Sequence, residues 1–316
     1  EKILQEILTT DMSETLISYR NNKRYILGIE KVQLSNKMDY DIPFVRGGFY
    51  LITGGLGGIG KHIAKYLLQS YGAKILIIGR TKLDPKEYSI GEINEGEQEK
   101  LNVLNELKEI SRKHGKVIYK DCSLSDLSTL ESLIDEYEIK LNQPLKGVIH
   151  LAGIFNRNYL VDLTEKKLNE MYDAKVFGSL NLYKILSSRP NSLLILNSSS
   201  GTLSSDIMLG SYNSVNYFVE SLSLYLNKCS MVKTYCLSWS LWNEIGLGKE
   251  SSSIKNVLRD RGFQFINSKQ GLYTMLASLK TNEPLIYVGL DEKKAEIEQI
   301  NYSKKKNKYL FKVYID

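Results

Sequence analysis

Between residues 49 and 240 the chain alternates short apolar runs with longer stretches in which apolar residues recur at helical spacing. The runs 49–53, 74–78, 116–120, 147–151, 193–198 and 232–238 are predicted strands; the stretches 58–71, 97–114, 125–141, 164–187 and 212–228 are predicted helices. Apolar strands that alternate with amphipathic helices belong in a parallel sheet covered on both faces. The expected fold is therefore α/β, a doubly wound parallel sheet of the Rossmann type. A polar stretch, 82–96, reads as a surface loop, and 241–282 reads as a loop with one or two helices placed as a lid.

The two ends depart from this alternation. ETLISYRNNKRYILGIEKVQL reads as two strands around an Asn21-Asn22-Lys23 turn, and the terminal SKKKNKYLFKVYID closes on another strand-like run. The expectation is a small β appendage built from both termini: a hairpin in 1–46, the main domain over 47–290, and a strand or tail in 291–316.

The first predicted strand runs into a glycine-rich turn, FYLITGGLGGIG, with five glycines in the seven residues 54–60. Gly55, Gly57 and Gly60 make GxGxxG; Thr53, Gly54, Gly58 and Gly60 make TGxxxGxG, with Leu56 and Ile59 between. Between a strand and a helix, such a turn lets the backbone approach a pyrophosphate and turns free N–H groups of the helix towards it. The next strand ends in Gly79, Arg80 and Thr81, where an NAD site would carry a carboxylate. An arginine there pairs with a 2′-phosphate and points to NADPH.

Composition narrows the partners. The 316 residues are 42% hydrophobic and 25% charged, an ordinary globular balance. The net charge of +6 is spread along the chain, which implies no nucleic acid and suits an anionic cofactor or acidic partner. Cys122, Cys229 and Cys236 are odd in number and without metal spacing, so reduced thiols, a cytoplasmic setting and no metal are expected. No apolar run reaches membrane-spanning length and no signal-peptide pattern is present. The first residue is Glu1 rather than Met, which reads as a piece of a longer chain.

Downstream of the turn, LILNSSSG places Ser199 at the carboxyl end of a predicted strand, the edge where such sheets bind ligands. Tyr212 follows thirteen residues later at the start of a helix, with Asn216 four residues on and on the same face. Lys175 lies in the preceding helix, in DAKVFG. Ketone reduction needs these types. A serine hydroxyl holds the carbonyl oxygen where charge develops, and a tyrosine supplies a proton. A free phenol titrates near 10, and a neighbouring ammonium brings it down. Asparagine can order the lysine or a relay water.

With these residues in view, the chain resembles a ketoreductase domain of a modular polyketide synthase or nonribosomal (depsipeptide) megasynthase, within the short-chain dehydrogenase/reductase superfamily. The resemblance runs from SYRNNKRYILGIEKV to KQGLYTML through YLITGGLGGIG, IIGR, DCSLSD, VIHLAGI, KVFG, LNSSSG, YNSVNYFVESL and SWSLWNEIGLG. Typical superfamily members carry Tyr-x-x-x-Lys with asparagine in the earlier helix; megasynthase ketoreductases exchange the two, as Asn216 and Lys175 are exchanged here. The resemblance implies Ser199 and Tyr212 as the carbonyl-binding pair, supported by Lys175 and Asn216. It places Asp121, with Cys122 beside it, near the adenine, and the His150–Gly153 segment, Ala152 and Gly153 included, along the cofactor. Its Leu-Asp-Asp stereochemical marker is replaced by Phe155, Asn156 and Arg157, and its alternative tryptophan by Ser204, so the product configuration stays open with a lean away from the aspartate type. The family's preceding structural subdomain is represented only by the N-terminal hairpin.

The expected activity is NADPH-dependent reduction of a ketoacyl thioester carried by a phosphopantetheinylated acyl or peptidyl carrier protein, beside neighbouring megasynthase domains. A β-ketoacyl substrate is favoured; the alternative is an α-ketoacyl group in a depsipeptide synthetase. Two rivals remain, a free-standing reductase of diffusible ketones and a catalytically silent scaffold.

Overall fold

The run FYLIT is buried along its whole length, which requires neighbours on both edges and cover on both faces. In a computed structural model describing residues 2–8, 17–32, 42–83, 94–204, 206–243, 252–300 and 314–315, this run is an inner strand of a parallel sheet. Seven strands follow in chain order: β1 (Phe49–Thr53), β2 (Lys74–Gly79), β3 (Lys116–Asp121), β4 (Leu145–His150), β5 (Leu193–Ser199), β6 (Lys233–Trp239) and β7 (Leu285–Val288). Across the sheet they stand 3-2-1-4-5-6-7, all parallel. The order reverses between β1 and β4, and the crevice at their carboxyl ends is where such a sheet takes a ligand.

Alternation along the strands divides the core in two. Leu51, Leu76, Val148 and Leu194 face helices α3 (Leu127–Leu141), α5 (Gly178–Ser187) and α6 (Gly210–Cys229), and the short α4 (Glu165–Tyr172) packs against α6. Ile52, Ile75, Ile77 and Ile195 face α1 (Gly58–Tyr71), α2 (Glu95–Ser111) and α8 (Ser268–Ser278), which follows a shorter helix α7 (Ser252–Asp260). In α1 the fully buried Leu67 and Leu68 each contribute roughly 1.5–3 kcal/mol of gross burial. The helix ends are marked chemically: Asn94 and Glu97 form a capping box on α2, Asp126 caps α3, and Gly72 ends α1 at φ 58°.

The predicted Rossmann sheet is present, with differences at particular elements. β7 was not expected; LIYV lies just past the stretch read as a lid and takes its place by pairing with β6. The single helix expected over 164–187 is α4 and α5 joined by a π-helical turn, Asp173–Phe177. The hairpin is formed by Ile17–Arg20 and Lys23–Ile26, and Asn21 (φ 49°) and Asn22 (φ 61°) supply the two positive-φ positions of its turn. Glu30–Lys31 pairs with Tyr314–Ile315, which pairs with β7, so both termini extend the sheet to nine strands. Much of the 82–96 loop and part of the lid stretch, 244–251, lie outside the described residues. In the rest of the lid, Leu241–Trp242 pairs with Phe265–Ile266. Among the described residues no helix is long and apolar enough to cross a membrane.

The close packing of the turn makes a sharp prediction. A Cβ on Gly60 would lie 2.6 Å from Gly55 Cα, backbone that cannot swing aside, whereas a Cβ on Gly72 meets open space. Gly60→Ala should cost about 1–3 kcal/mol in urea denaturation. Gly72→Asn should cost much less, because asparagine tolerates the left-handed region.

Candidate active site

The glycine turn folds against the end of β4. Gly54 has φ +68°, and a Cβ there would sit 2.9 Å from Ala152 N. Gly57 is the N-cap of α1 and offers no side chain to the helix's free N–H groups. Two cavities meet at this turn, sharing Gly54, Gly57, Leu151, Gly153 and Ile154. One, of about 360 Å³, runs past Gly58, Ile59 and Gly60 to Lys175, Ser199 and Tyr212. The other, of about 350 Å³, runs past Gly55, Leu56 and Ala152 to Arg80, Thr81 and Cys122. Bare backbone amides at the centre and a cavity on each side fit a dinucleotide with its pyrophosphate at the turn.

Not every predicted contact faces these cavities. Thr53 is fully buried; its hydroxyl lies 2.7 Å from His150 Nδ1 and accepts the Ala152 N–H at 3.3 Å, tying β1 to the end of β4. Asp121 is exposed at the end of β3 and is not among the residues lining either cavity, whereas its neighbour Cys122 is. Burial, with Asp126 and Asp121 adding to it, pushes the Cys122 thiol up. Lys100 from α2, absent from the sequence-based set, lines the Arg80 end and donates to Thr81 Oγ1 at 2.8 Å. Its signal was faint, a lysine on a charged surface helix.

Ser199, Tyr212 and Lys175 come together in the first cavity. Lys175 rides on the π-helical turn and is only 7% exposed. Such turns inside helices are frequent at functional sites. Its aliphatic stem passes over Gly153, where a Cβ would stand 2.7 Å from Lys175 Cε, and its ammonium donates to the Asn197 carbonyl. Burial lowers its pKa to about 8, with Cys236 and Glu220 acting in the opposite direction. Burial raises the Tyr212 phenol, while hydrogen bonding from the Ser199 and Asn216 side chains brings it down. The Tyr212 ring stands edge-on to Phe155, centroids 5.0 Å apart. Asn216 is fully buried beneath the site and donates through Nδ2 to the Tyr212 carbonyl at 2.9 Å. Ser199 Oγ accepts the Gly201 N–H at 3.2 Å.

Asn197 was also missed. It accepts Lys175 on its backbone, accepts the Trp239 indole N–H on Oδ1 at 2.7 Å, and donates to the His150 carbonyl at 3.2 Å. Beyond Tyr212 the cavity is walled by Leu209, Trp242, Leu258 and Phe263. Its polar rim holds an Arg157–Asp206 ion pair at 2.9 Å and Arg261, which donates to Ser204 Oγ at 2.9 Å. Among the described residues no cluster of metal-ligating side chains is present.

The KR domain family model matches residues 48–244. The chain belongs to this family. KR domains are oxidoreductases of the short-chain dehydrogenase/reductase fold and use a nicotinamide cofactor. This KR domain is 27% identical over 299 residues to polyketide synthase PksN of Bacillus subtilis (strain 168), covering 92% of this chain and 5% of the relative. It is 26% identical over 262 residues to PksM of the same organism, covering 82% and 6%. Among solved structures, one of adenylation, ketoreductase and pseudo Asub domains from a keto acid-selecting NRPS module is 35% identical, with a TM-score of 0.83 over 97% of this chain and 25% of that one. A ketoreductase domain from the bacillaene assembly line superposes with a TM-score of 0.68 at 24% identity, over 85% of this chain and 61% of that one.

His150 offers a pH test of this packing. Burial, with the Lys175 ammonium adding to it, drives its pKa from 6.5 to about 3. Between those values the unfolded chain takes up a proton that the folded KR domain refuses, so this contribution makes stability fall as pH falls. The His150 imidazole resonance should not titrate between pH 8 and 5, and His150→Asn should flatten the loss of stability below pH 6.5. Titration of that resonance near pH 6 would contradict the burial.

Proposed function

We propose that this KR domain reduces the ketone of a ketoacyl thioester presented on the phosphopantetheine arm of a carrier protein, with NADPH as reductant. The carrying observation is the meeting of Ser199, Tyr212 and Lys175 in a cavity that continues past the glycine turn. Ser199 donates a hydrogen bond to the substrate carbonyl oxygen, polarising it. Tyr212 gives its proton to that oxygen as it becomes an alkoxide, and Lys175 stabilises the resulting phenolate. Asn216 holds the first turn of α6, and with it Tyr212, in place. Bound NADPH would supply the hydride to the carbonyl carbon, so that hydride plus proton turn the ketone into the alcohol. Arg80, Thr81 and Lys100 would hold the 2′-phosphate, and Gly57 to Gly60 the pyrophosphate.

The polyketide synthases among the relatives support a β-ketoacyl substrate. A more specific observation favours an α-ketoacyl one. The likeness to the ketoreductase-containing structure from a keto acid-selecting NRPS module extends over 97% of the chain at 35% identity, and so reaches beyond the KR segment into the terminal elements. We therefore take the α-ketoacyl thioester as the substrate class, within a depsipeptide-type megasynthase. The purified domain should oxidise NADPH faster with an α-ketoacyl than with a β-ketoacyl pantetheine thioester. Tyr212→Phe should lower kcat by about 10²–10⁴-fold while leaving NADPH affinity, read by its fluorescence, nearly unchanged. Faster turnover of the β-keto compound would return the domain to the polyketide class; an unchanged rate in Tyr212→Phe would remove the assigned proton donor.

A further inference from the structure

Helix α6 carries Tyr212, Asn216 and Glu220 at four-residue intervals, on one face. Tyr212 and Asn216 serve the site; Glu220, only 4% exposed, has no evident reason to be buried in a catalytic domain's core. Its surroundings supply one. Ser198 on β5 stands in register with Ser238 on β6, and Ser238 with Tyr287 on β7, so one row across three strands ends in hydroxyls. Ser198 and Ser238 both donate to Glu220 Oε1 at 2.7 Å, and Tyr287 donates to Oε2 at 2.8 Å. Thr202, in the turn after Ser199, divides its one hydrogen between Oε1 at 3.1 Å and the Ser199 carbonyl at 3.0 Å. An ionised carboxylate only accepts, and these neighbours have hydrogens to give. All four hydroxyls can thus serve an ionised carboxylate, and two of them, on Ser198 and Thr202, lie on either side of Ser199 in the chain.

We propose that Glu220 is a positioning residue of the reduction: its caged carboxylate is the buried negative charge that keeps Lys175 an ammonium beside the Tyr212 proton donor. The inference rests on the ketoreductase reading of the site and concerns how that site is charged. Around Lys175 the titratable neighbours are His150 on β4, Cys236 on β6 and Glu220 on α6. Burial holds His150 in its neutral form and drives the Cys236 thiol far up, so neither offers a charge. Around Glu220 stand Tyr212 and Tyr217 on its own helix, Cys236 on β6 and Tyr287 on β7, all pushed up and so protonated. The two charges meet adjacent residues of β5: Asn197 takes the Lys175 ammonium on its carbonyl, and Ser198 donates to Glu220. Glu220 thus opposes the desolvation of Lys175 and favours the ammonium that stabilises the Tyr212 phenolate. Burial also raises the Glu220 carboxyl itself, against the pull of its four hydroxyl partners, which brings its own protonation towards the working range.

Glu220→Gln keeps the shape and removes the charge. The protein would carry lysine labelled with ¹³C at Cε, and Lys175→Met would assign the resonance. Lys175 should titrate about one pH unit lower in Glu220→Gln than in the unsubstituted protein. The alkaline limb of kcat/KM should move down with it, while NADPH affinity read by fluorescence changes less than about twofold. Tyr287→Phe, which removes one donor and leaves the carboxyl group, should instead move the acid limb up, because Glu220 then takes its proton at higher pH. Equal Lys175 titration in the unsubstituted and Glu220→Gln proteins would overturn the proposal, even if activity fell, since packing alone would then explain the loss. Absence of turnover in the unsubstituted protein would strike the ketoreductase reading, and the Lys175 titration, which needs no substrate, would still decide the role of Glu220.

Discussion

A lysine ammonium almost withdrawn from water is the most demanding group in this site, and the structure around it answers that demand. The π-helical turn re-aims Lys175 inward, and Gly153 leaves room for its stem to cross. Asn197 offers a backbone carbonyl and is itself locked by the Trp239 indole and the His150 carbonyl. His150 is kept neutral beside the cation, and in that state it ties β4 to β1 through Thr53. The glycine turn, the inner strands and the segment after β4 thus meet around one charge.

The same arrangement explains why the carboxyl edge of the sheet is divided as it is. On one side of the glycine turn the cavity is rimmed by Arg80, Thr81 and Lys100 and carries two cationic side chains. On the other it becomes apolar past Tyr212, with Phe155 set edge-on to the phenol and an Arg157–Asp206 pair at the rim. Phe155, Arg157 and Ser204 occupy the positions where the resemblance expects stereochemical markers. Ser204 accepts a hydrogen bond from Arg261, which lies just past α7 and is paired with Glu296.

Much of this was legible in the chain. The buried strands of the Rossmann sheet, the glycine turn and the positions of Ser199, Tyr212, Asn216 and Lys175 each carry a local signal: an apolar run, a glycine spacing, or a four-residue interval on a helix. What was not legible depends on tertiary partners. Four residues, LIYV, have no period by which to declare themselves a strand, and β7 exists because β6 offers an edge in register. The π-helical turn in DAKVFG has no marker residue, and a continuous helix was the natural reading of 164–187. Asn197 and Lys100 look like ordinary polar residues until the fold brings Lys175 and Thr81 to them. Asp121 carried the family's expectation, yet it stands in solvent at the end of β3, with Cys122 lining the cavity.

The central claim is that the cavity at Ser199 and Tyr212 delivers hydride and proton to one carbonyl. It is tested most directly by following label. The domain would be incubated with an α-ketoacyl pantetheine thioester and NADPH stereospecifically deuterated at the transferring C4 position, and the product examined by mass spectrometry and proton NMR. The account predicts one deuterium on the carbinol carbon of the hydroxyacyl product and none at other carbons. Recovery of the ketone unreduced, with the label still in the cofactor, would contradict it.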